Sequence, residues 1–183
     1  MKFIIASDIH GDAIACEAIL DAAARENADR ILLLGDILYH GPRNDLPEGH
    51  APKKVIALLN GVADKIICVK GNCEAEVDQM VLSFPVMSDT SIVLDSERGV
   101  ELFMTHGHKY SPENLPPLKS NTVFLSGHTH VLCMDERDGI FCLNPGSPSL
   151  PKEGNPKSYA IYDNGTVKIV DLDGNTLLCG SVL

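Results

Sequence analysis

Seven residues with lone pairs suited to metal ions stand directly behind short apolar runs. Asp8 and His10 follow KFIIAS, Asp36 follows ILLLG, Asn72 follows IICVKG, His106 follows VELFMT, and His128 and His130 follow TVFLSG. Two carboxylates, one amide and four imidazoles form a nitrogen and oxygen donor set with no thiolate required. That set suits a pair of hard-to-borderline divalent ions such as Mn²⁺, Fe²⁺ or Zn²⁺. Two such ions bring four positive charges and the two Asp remove two, leaving roughly +2 before any bound hydroxide is counted. An anion such as phosphate can bind there. Taken singly, Asp-x-His behind a strand, Gly35-Asp36 and Gly71-Asn72 are ordinary turn or cap signals. His128-x-His130 says more, because alternate residues of an extended segment face one side.

The elements that must position these residues read as alternating strand and helix in the first half. KFIIAS is a buried strand, and DAIACEAILDAAARE carries Ile14, Ala15, Ala18, Ile19 and Ala22 on one helical stripe. ADRILLLGD is a second strand. PKKVIALLNG is a short helix with Pro52 in its first turn and Gly61 past its end. KIICVKGN is a third strand, and CEAEVDQMVL begins a third helix. From about residue 84 the texture changes to short strands: SIVLD and VELFMTH flank SERG as a hairpin, and TVFLSGHTH, VLCMDERDGIFCLN, SYAIYDNGTVKIVD and GNTLLCGSVL follow. In parallel βαβ units the carboxyl ends of the strands lie on one edge of the sheet, where open α/β sheets place their ligands. The expectation is one α/β domain spanning 1–183, with a mixed sheet or pair of sheets.

Composition narrows the partners. The 183 residues carry 25 Asp+Glu and 15 Lys+Arg, a net charge of −10. That argues against nucleic acid and anionic lipid, which need a basic surface. No apolar run approaches the roughly 20 residues that cross a bilayer, and the start of the chain does not read as a signal peptide. Six scattered cysteines without a CxxC pair read as reduced thiols, and the expected location is the cytoplasm. Apolar residues of the C-terminal strands either fill the core or form a homo-oligomer interface.

SDIHG (7–11), LGD (34–36), GNCE (71–74), THGH (105–108) and GHTH (127–130) resemble, in order, the motifs of the calcineurin-like metallophosphoesterase superfamily. The small size, GPRN (41–44) and NPGS (144–147) resemble its compact bacterial phosphodiesterases. The resemblance implies a four-layer sandwich of two mixed β-sheets flanked by helices, with two metal ions, most often Mn²⁺. It implies that Asp8, His10 and His130 hold one metal, that Asn72, His106 and His128 hold the other, and that Asp36 bridges them. The implied reaction is hydrolysis of a small phosphodiester by in-line attack of a metal-bound hydroxide. Phosphomonoester hydrolysis is the alternative, with nuclease activity third. A retromer subunit shares the fold, so a non-catalytic docking scaffold is the other class of reading; eroded ligands would mark it, and all seven positions are intact.

One position departs from that pattern. Many relatives carry a histidine after the motif Asn, where it serves the leaving oxygen, and this chain has Cys73. A thiol is a weak donor, so esters with acidic leaving groups are favoured unless another histidine substitutes. His40 and His108 are the candidates, alongside Asn72, for a catalytic contact. Arg43 is a candidate phosphate-binding fork, or else the partner of Asp45; Asn72 is a second candidate for substrate contact. Glu74 is expected to hydrogen-bond a ligand histidine or to stand as a helix N-terminal acid. Asn144-Pro145-Gly146-Ser147 either supports a ligand histidine or is a plain turn.

Overall fold

The computed structural model describes residues 1–182. Eleven strands, three α-helices and one 3₁₀ turn are found among them. The chain runs β1 (Lys2–Ala6), α1 (Ala13–Arg25), β2 (Arg30–Leu33), α2 (Pro52–Asn60), a 3₁₀ turn (Ala63–Lys65), β3 (Ile66–Cys68) and α3 (Glu76–Val81). Then follow β4 (Thr90–Asp95), β5 (Val100–Thr105), β6 (Thr122–Leu125), β7 (Cys133–Arg137), β8 (Ile140–Asn144), β9 (Ser158–Asp163), β10 (Thr166–Asp171) and β11 (Thr176–Ser181). They form a six-stranded sheet, β11-β10-β9-β1-β2-β3, and a five-stranded sheet, β4-β5-β6-β8-β7.

Both sheets are mixed. In the first, β1, β2 and β3 are parallel and β9 returns antiparallel to β1. In the second, β5, β6 and β8 are parallel, with β4 and β7 antiparallel at the edges. The expected α/β sandwich of two mixed sheets is therefore present. The period of two along each strand divides the core. Phe3, Ile5, Leu32 and Leu34 point between the sheets, where they meet Leu102, Met104, Val123, Leu125 and Leu143. Ile4, Ala6, Ile31 and Leu33 point the other way, onto Ala13, Cys16 and Ile19 of α1 and Val55 and Leu59 of α2. The apolar runs of β1 and β2 lack alternation because both of their faces are covered.

Two details differ from the sequence expectation. Ile14 is 55% exposed, and the buried side of α1 carries Ala13, Ala15, Cys16, Ile19 and Ala22 instead. The helix starts at Ala13, capped by Asp12, whose carboxylate accepts from the N–H groups of Ile14 and Ala15. The buried face is centred between Ala15 and Ile19, which leaves Ile14 about 120° to one side. Both longer helices, α1 and α2, also pack on the first sheet. Across the outer face of the other sheet, Phe124, Ile140 and Cys142 are covered by Leu115 and Leu118 of the 109–121 loop.

β9 and β10 fill the core, with Tyr159, Ala160, Tyr162, Val167 and Ile169 each fully buried, while β11 at the sheet edge is largely exposed. All six cysteines are free. No helix among the described residues is long and apolar enough to cross a membrane.

Candidate metal centre

The carboxyl ends of β1, β2 and β3 meet those of β5 and β6 at one end of the sandwich. Asp8, His10, Asp36, His106 and His130 are all buried there. Asp8, His10, Asp36, His128 and His130 all adopt positive φ, between 51° and 68°. Left-handed backbone at non-glycine residues costs of order 1–3 kcal/mol each and gathers at functional sites. The turns also require glycine at the contact between two ligand loops. A Cβ on Gly35 (φ 93°) would collide with the backbone of Gly71, and one on Gly71 would collide with Asp36.

Each carboxylate divides its oxygens between framework and site. Asp8 Oδ2 accepts from the N–H of His128 at 2.9 Å, tying β1 to the loop behind β6, and Asp36 Oδ1 accepts from the N–H of Cys73 at 2.9 Å. The other oxygens face the imidazoles. Asp8 Oδ1 lies 3.2 Å from His130 Nε2 and 3.6 Å from His10 Nε2. Asp36 Oδ2 lies 3.5 Å from His106 Nε2 and 3.8 Å from His10 Nε2, between two sets of nitrogens. Asn72 Oδ1 and His128 Nδ1 lie 3.0 Å and 3.3 Å from His106 Nε2.

Backbone carbonyls orient three of the rings. Nδ1 of His10, His106 and His130 lies 2.7, 2.7 and 2.6 Å from the carbonyls of Tyr39, Leu34 and Leu150. Donation from Nδ1 leaves Nε2 as the ligating lone pair. His128 is turned the other way, with Nδ1 inward, which spacing alone does not reveal.

This arrangement fits divalent cations. In the neutral tautomers, Nε2 of His10 and His130 face each other at 3.2 Å with no proton between them. Buried Asp8 Oδ1 has no hydrogen-bond partner. Three groups bring their ligand atoms within 4.8 Å of one another: Asp8, His10 and His130; Asp8, Asp36 and His106; and His10, Asp36 and Cys73. Acceptors crowded in this way need positive charge. Without metal, protons supply it. Burial disfavours the cation of His106, but Asp36 and Asp8 outweigh it and push the ring up to about 9. Burial alone would raise Asp8, yet His10 and His130 hold it far below the usual carboxylate range. Burial, then Asp36, pushes the Cys73 thiol up, so it stays protonated.

A cleft of about 370 Å³ opens onto these residues, lined by Arg43, Asn72, Cys73, Thr129 and Lys152 among others. Arg43 forms no ion pair with Asp45 or any other described acid and remains exposed beside the cleft. Lys152, which no motif announced, brings a second cation; its N–H donates to the His130 carbonyl. His108 is exposed and does not line the cleft, but its ring lies 5.3 Å from His106 and 6.2 Å from His128, and burial followed by His106 lowers its pKa. His40 does not line the cleft; its ring packs 4.8 Å from Tyr39 and 5.6 Å from His50.

Glu74 neither touches a ligand histidine nor caps a helix. It is buried, and its carboxylate accepts from the N–H groups of Asp36 (3.0 Å), Ile37 (2.7 Å) and Gly71 (2.5 Å), clamping the loops after β2 and β3. The NPGS turn supports the ligand loops. Asn144 donates to the Gly127 carbonyl and to Thr129 Oγ1, and Ser147 Oγ donates to the Asp8 carbonyl.

Two mixed sheets with a carboxylate–imidazole cluster at their shared carboxyl edge define a metallophosphoesterase architecture. The chain belongs to the calcineurin-like phosphoesterase superfamily, whose family model matches residues 1–166. It is similar to the phosphodiesterase YfcE of Escherichia coli K12, with 48% identity over 179 residues, 97% of this chain and 96% of that protein. A solved structure of the E. coli phosphoesterase Yfce superposes with a TM-score of 0.96 over the whole of both chains at 47% identity. A zinc complex of Vps29 from Entamoeba histolytica shares the fold over the whole of both chains, at a TM-score of 0.64 and 18% identity.

Proposed function

We propose that this chain, acting as one domain, is a phosphodiesterase that hydrolyses small phosphodiesters at a pair of divalent metal ions, with Mn²⁺ the favoured metal. The observation that carries the reading is the set of buried, mutually facing acceptors on Asp8, His10, Asp36, His106 and His130, beside a cleft with two cations. Similarity to a phosphodiesterase along nearly the whole chain supports it. In this reading Asp8, His10 and His130 hold one ion, Asn72, His106 and His128 hold the other, and Asp36 lies between them. The ions would supply a nucleophile from water near neutral pH and positive charge against the phosphoryl oxygens.

The protein's own groups do the rest. Arg43 and Lys152 bind the non-bridging phosphate oxygens and orient the diester. Asn72 contributes an oxygen ligand without adding negative charge that would repel the substrate. The carbonyls behind His10, His106 and His130 hold those rings so that no reorientation accompanies the reaction. His108, kept neutral beside His106 and His128, is the candidate to exchange a proton with the leaving alcohol. His40 has the weaker claim, because it faces His50 outside the cleft.

The test uses metal-stripped protein on bis(p-nitrophenyl) phosphate and on p-nitrophenyl phosphate, with and without Mn²⁺, beside Asp36→Ala and Asn72→Ala. Mn²⁺-dependent turnover of the diester, lost in both variants, is expected. No turnover with any divalent ion by folded protein would overturn the reading in favour of a docking scaffold. Preference for the monoester would make the chain a phosphomonoesterase.

A further inference from the structure

Thr129 is a ridge between two hollows. On one side lies the metal cleft. On the other is a pocket of about 260 Å³, walled by Pro112, Val131, Cys133 and Cys142. The two hollows also adjoin at consecutive residues, since Lys152 lines the cleft and Glu153 lines the pocket. Their chemistry is opposite. The cleft carries Arg43 and Lys152 beside the candidate metal ligands. The charges around the pocket are two acids, Glu113 and Glu153, and Arg137, which is already engaged by Glu113 at 3.5 Å and Asp135 at 3.1 Å. A phosphate would be repelled there. An uncharged apolar group would be accepted, and burial pushes the Cys133 thiol up, as a low-polarity wall should. The volume falls just below the roughly 300–1,000 Å³ of sites for drug-sized ligands, which is room for one ring and little more.

From this adjacency of a cleft carrying two cations and a small apolar pocket, we infer that the pocket is a specificity subsite for one ester group of the substrate, an uncharged ring such as an aryl group or a pyrimidine. The inference rests on the phosphodiesterase reading. Loop 109–121, which contributes Pro112 to the wall, then has a task beyond covering the sheet: it sets the size of the alcohol that fits. Aliphatic diesters too short to cross Thr129 would bind through phosphate alone.

Affinity of the Mn²⁺-loaded protein for phenyl phosphate and methyl phosphate, measured by calorimetry, tests the subsite without requiring turnover. Phenyl phosphate is expected to bind at least tenfold more tightly, and to protect Cys133 from N-ethylmaleimide as read by mass spectrometry, whereas methyl phosphate does not. Filling the pocket with Val131→Trp should collapse the affinity ratio toward one. Cys133→Phe, a second substitution in the pocket lining, does the same should the first variant fail to fold. Equal affinities in the wild type, a ratio that survives both substitutions, or identical Cys133 labelling with the two ligands would each overturn the inference. Binding of neither phosphate would overturn it too, and turnover of bis(p-nitrophenyl) phosphate in parallel separates that failure from failure of the phosphodiesterase reading.

Discussion

Glu74 holds two ligand loops together through three backbone N–H groups, so its removal should weaken the fold at the metal end first. In Glu74→Ala the donors of Asp36, Ile37 and Gly71 lose their acceptor in a place water reaches poorly. Each buried unsatisfied donor costs about 1–3 kcal/mol. Relief of the buried charge offsets part of the sum, because burial and then Asp36 already raise the Glu74 pKa. A net loss of about 4 kcal/mol follows, and at about 2–4 °C per kcal/mol for a chain of this length the midpoint should fall by roughly 8–16 °C. Glu74→Gln keeps the shape, and its oxygen can serve two donors. Its amide NH₂ meets the third, so a smaller loss of about 1–2 kcal/mol is expected. Thermal melting by circular dichroism on metal-stripped protein gives both shifts. Repeating it with Mn²⁺ should show both variants gaining less from metal than the wild type, because the loops bearing Asp36 and Asn72 are no longer pinned. A Glu74→Ala midpoint within about 2 °C of the wild type would refute the clamp.

Protons and metal should compete for the same pocket. His106 is held up to about 9 in the metal-free fold, against about 6.5 in an unfolded chain. Its contribution to stability is complete below about pH 6.5 and is lost as pH rises through about 9. Metal-stripped protein should therefore melt at falling temperature across that window, and Mn²⁺-loaded protein, whose His106 has already given up its proton, should not; a flat profile for the stripped protein would contradict the assignment. Asn72→Asp adds a negative charge beside Asp36 and Asp8, so metal should bind more tightly while kcat/KM for an anionic diester drops about tenfold or more; metal titration and steady-state kinetics read the two effects separately. With a protonated thiol at Cys73 and His108 as the remaining proton donor, His108→Ala should make turnover depend steeply on leaving-group pKa across a series of aryl esters. Cys73→His should flatten that dependence and raise the rate on poor leaving groups by about 10²-fold or more.

How much of this was legible beforehand follows from the range over which each interaction acts. The positions of the clustered carboxylates and imidazoles could be read because strand and chemistry are adjacent in the chain: Asp36 directly follows the ILLLG run, and His106 follows VELFMT. Once parallel strands are granted, their carboxyl ends must share an edge, and that requires no contact to be known. Ile14 shows the limit of the same local logic. Its apolarity put it on the stripe, but the Asp12 cap and the packing of Ala13, Cys16 and Ile19 set the phase of the helix, leaving Ile14 outside.

What stayed illegible is long-range and carried by the backbone. The acceptors for His10, His106 and His130 are main-chain carbonyls, of Tyr39, Leu34 and Leu150, and every residue type has one. The donors to Glu74 are main-chain N–H groups for the same reason, so its spacing from Asn72 suggested a side-chain partner that the fold does not provide. Lys152 enters the cleft because its backbone pairs with the carbonyl of His130, a contact with no sequence signature. A metal centre of this kind is thus written twice. The donors sit in short motifs that carry weight only as an ordered set, and the orientation that would make them ligands lies in the main chain. Positive φ at Asp8, His10, Asp36, His128 and His130 is where the two meet, since those residues must take a backbone suited to glycine while keeping the side chain that glycine lacks.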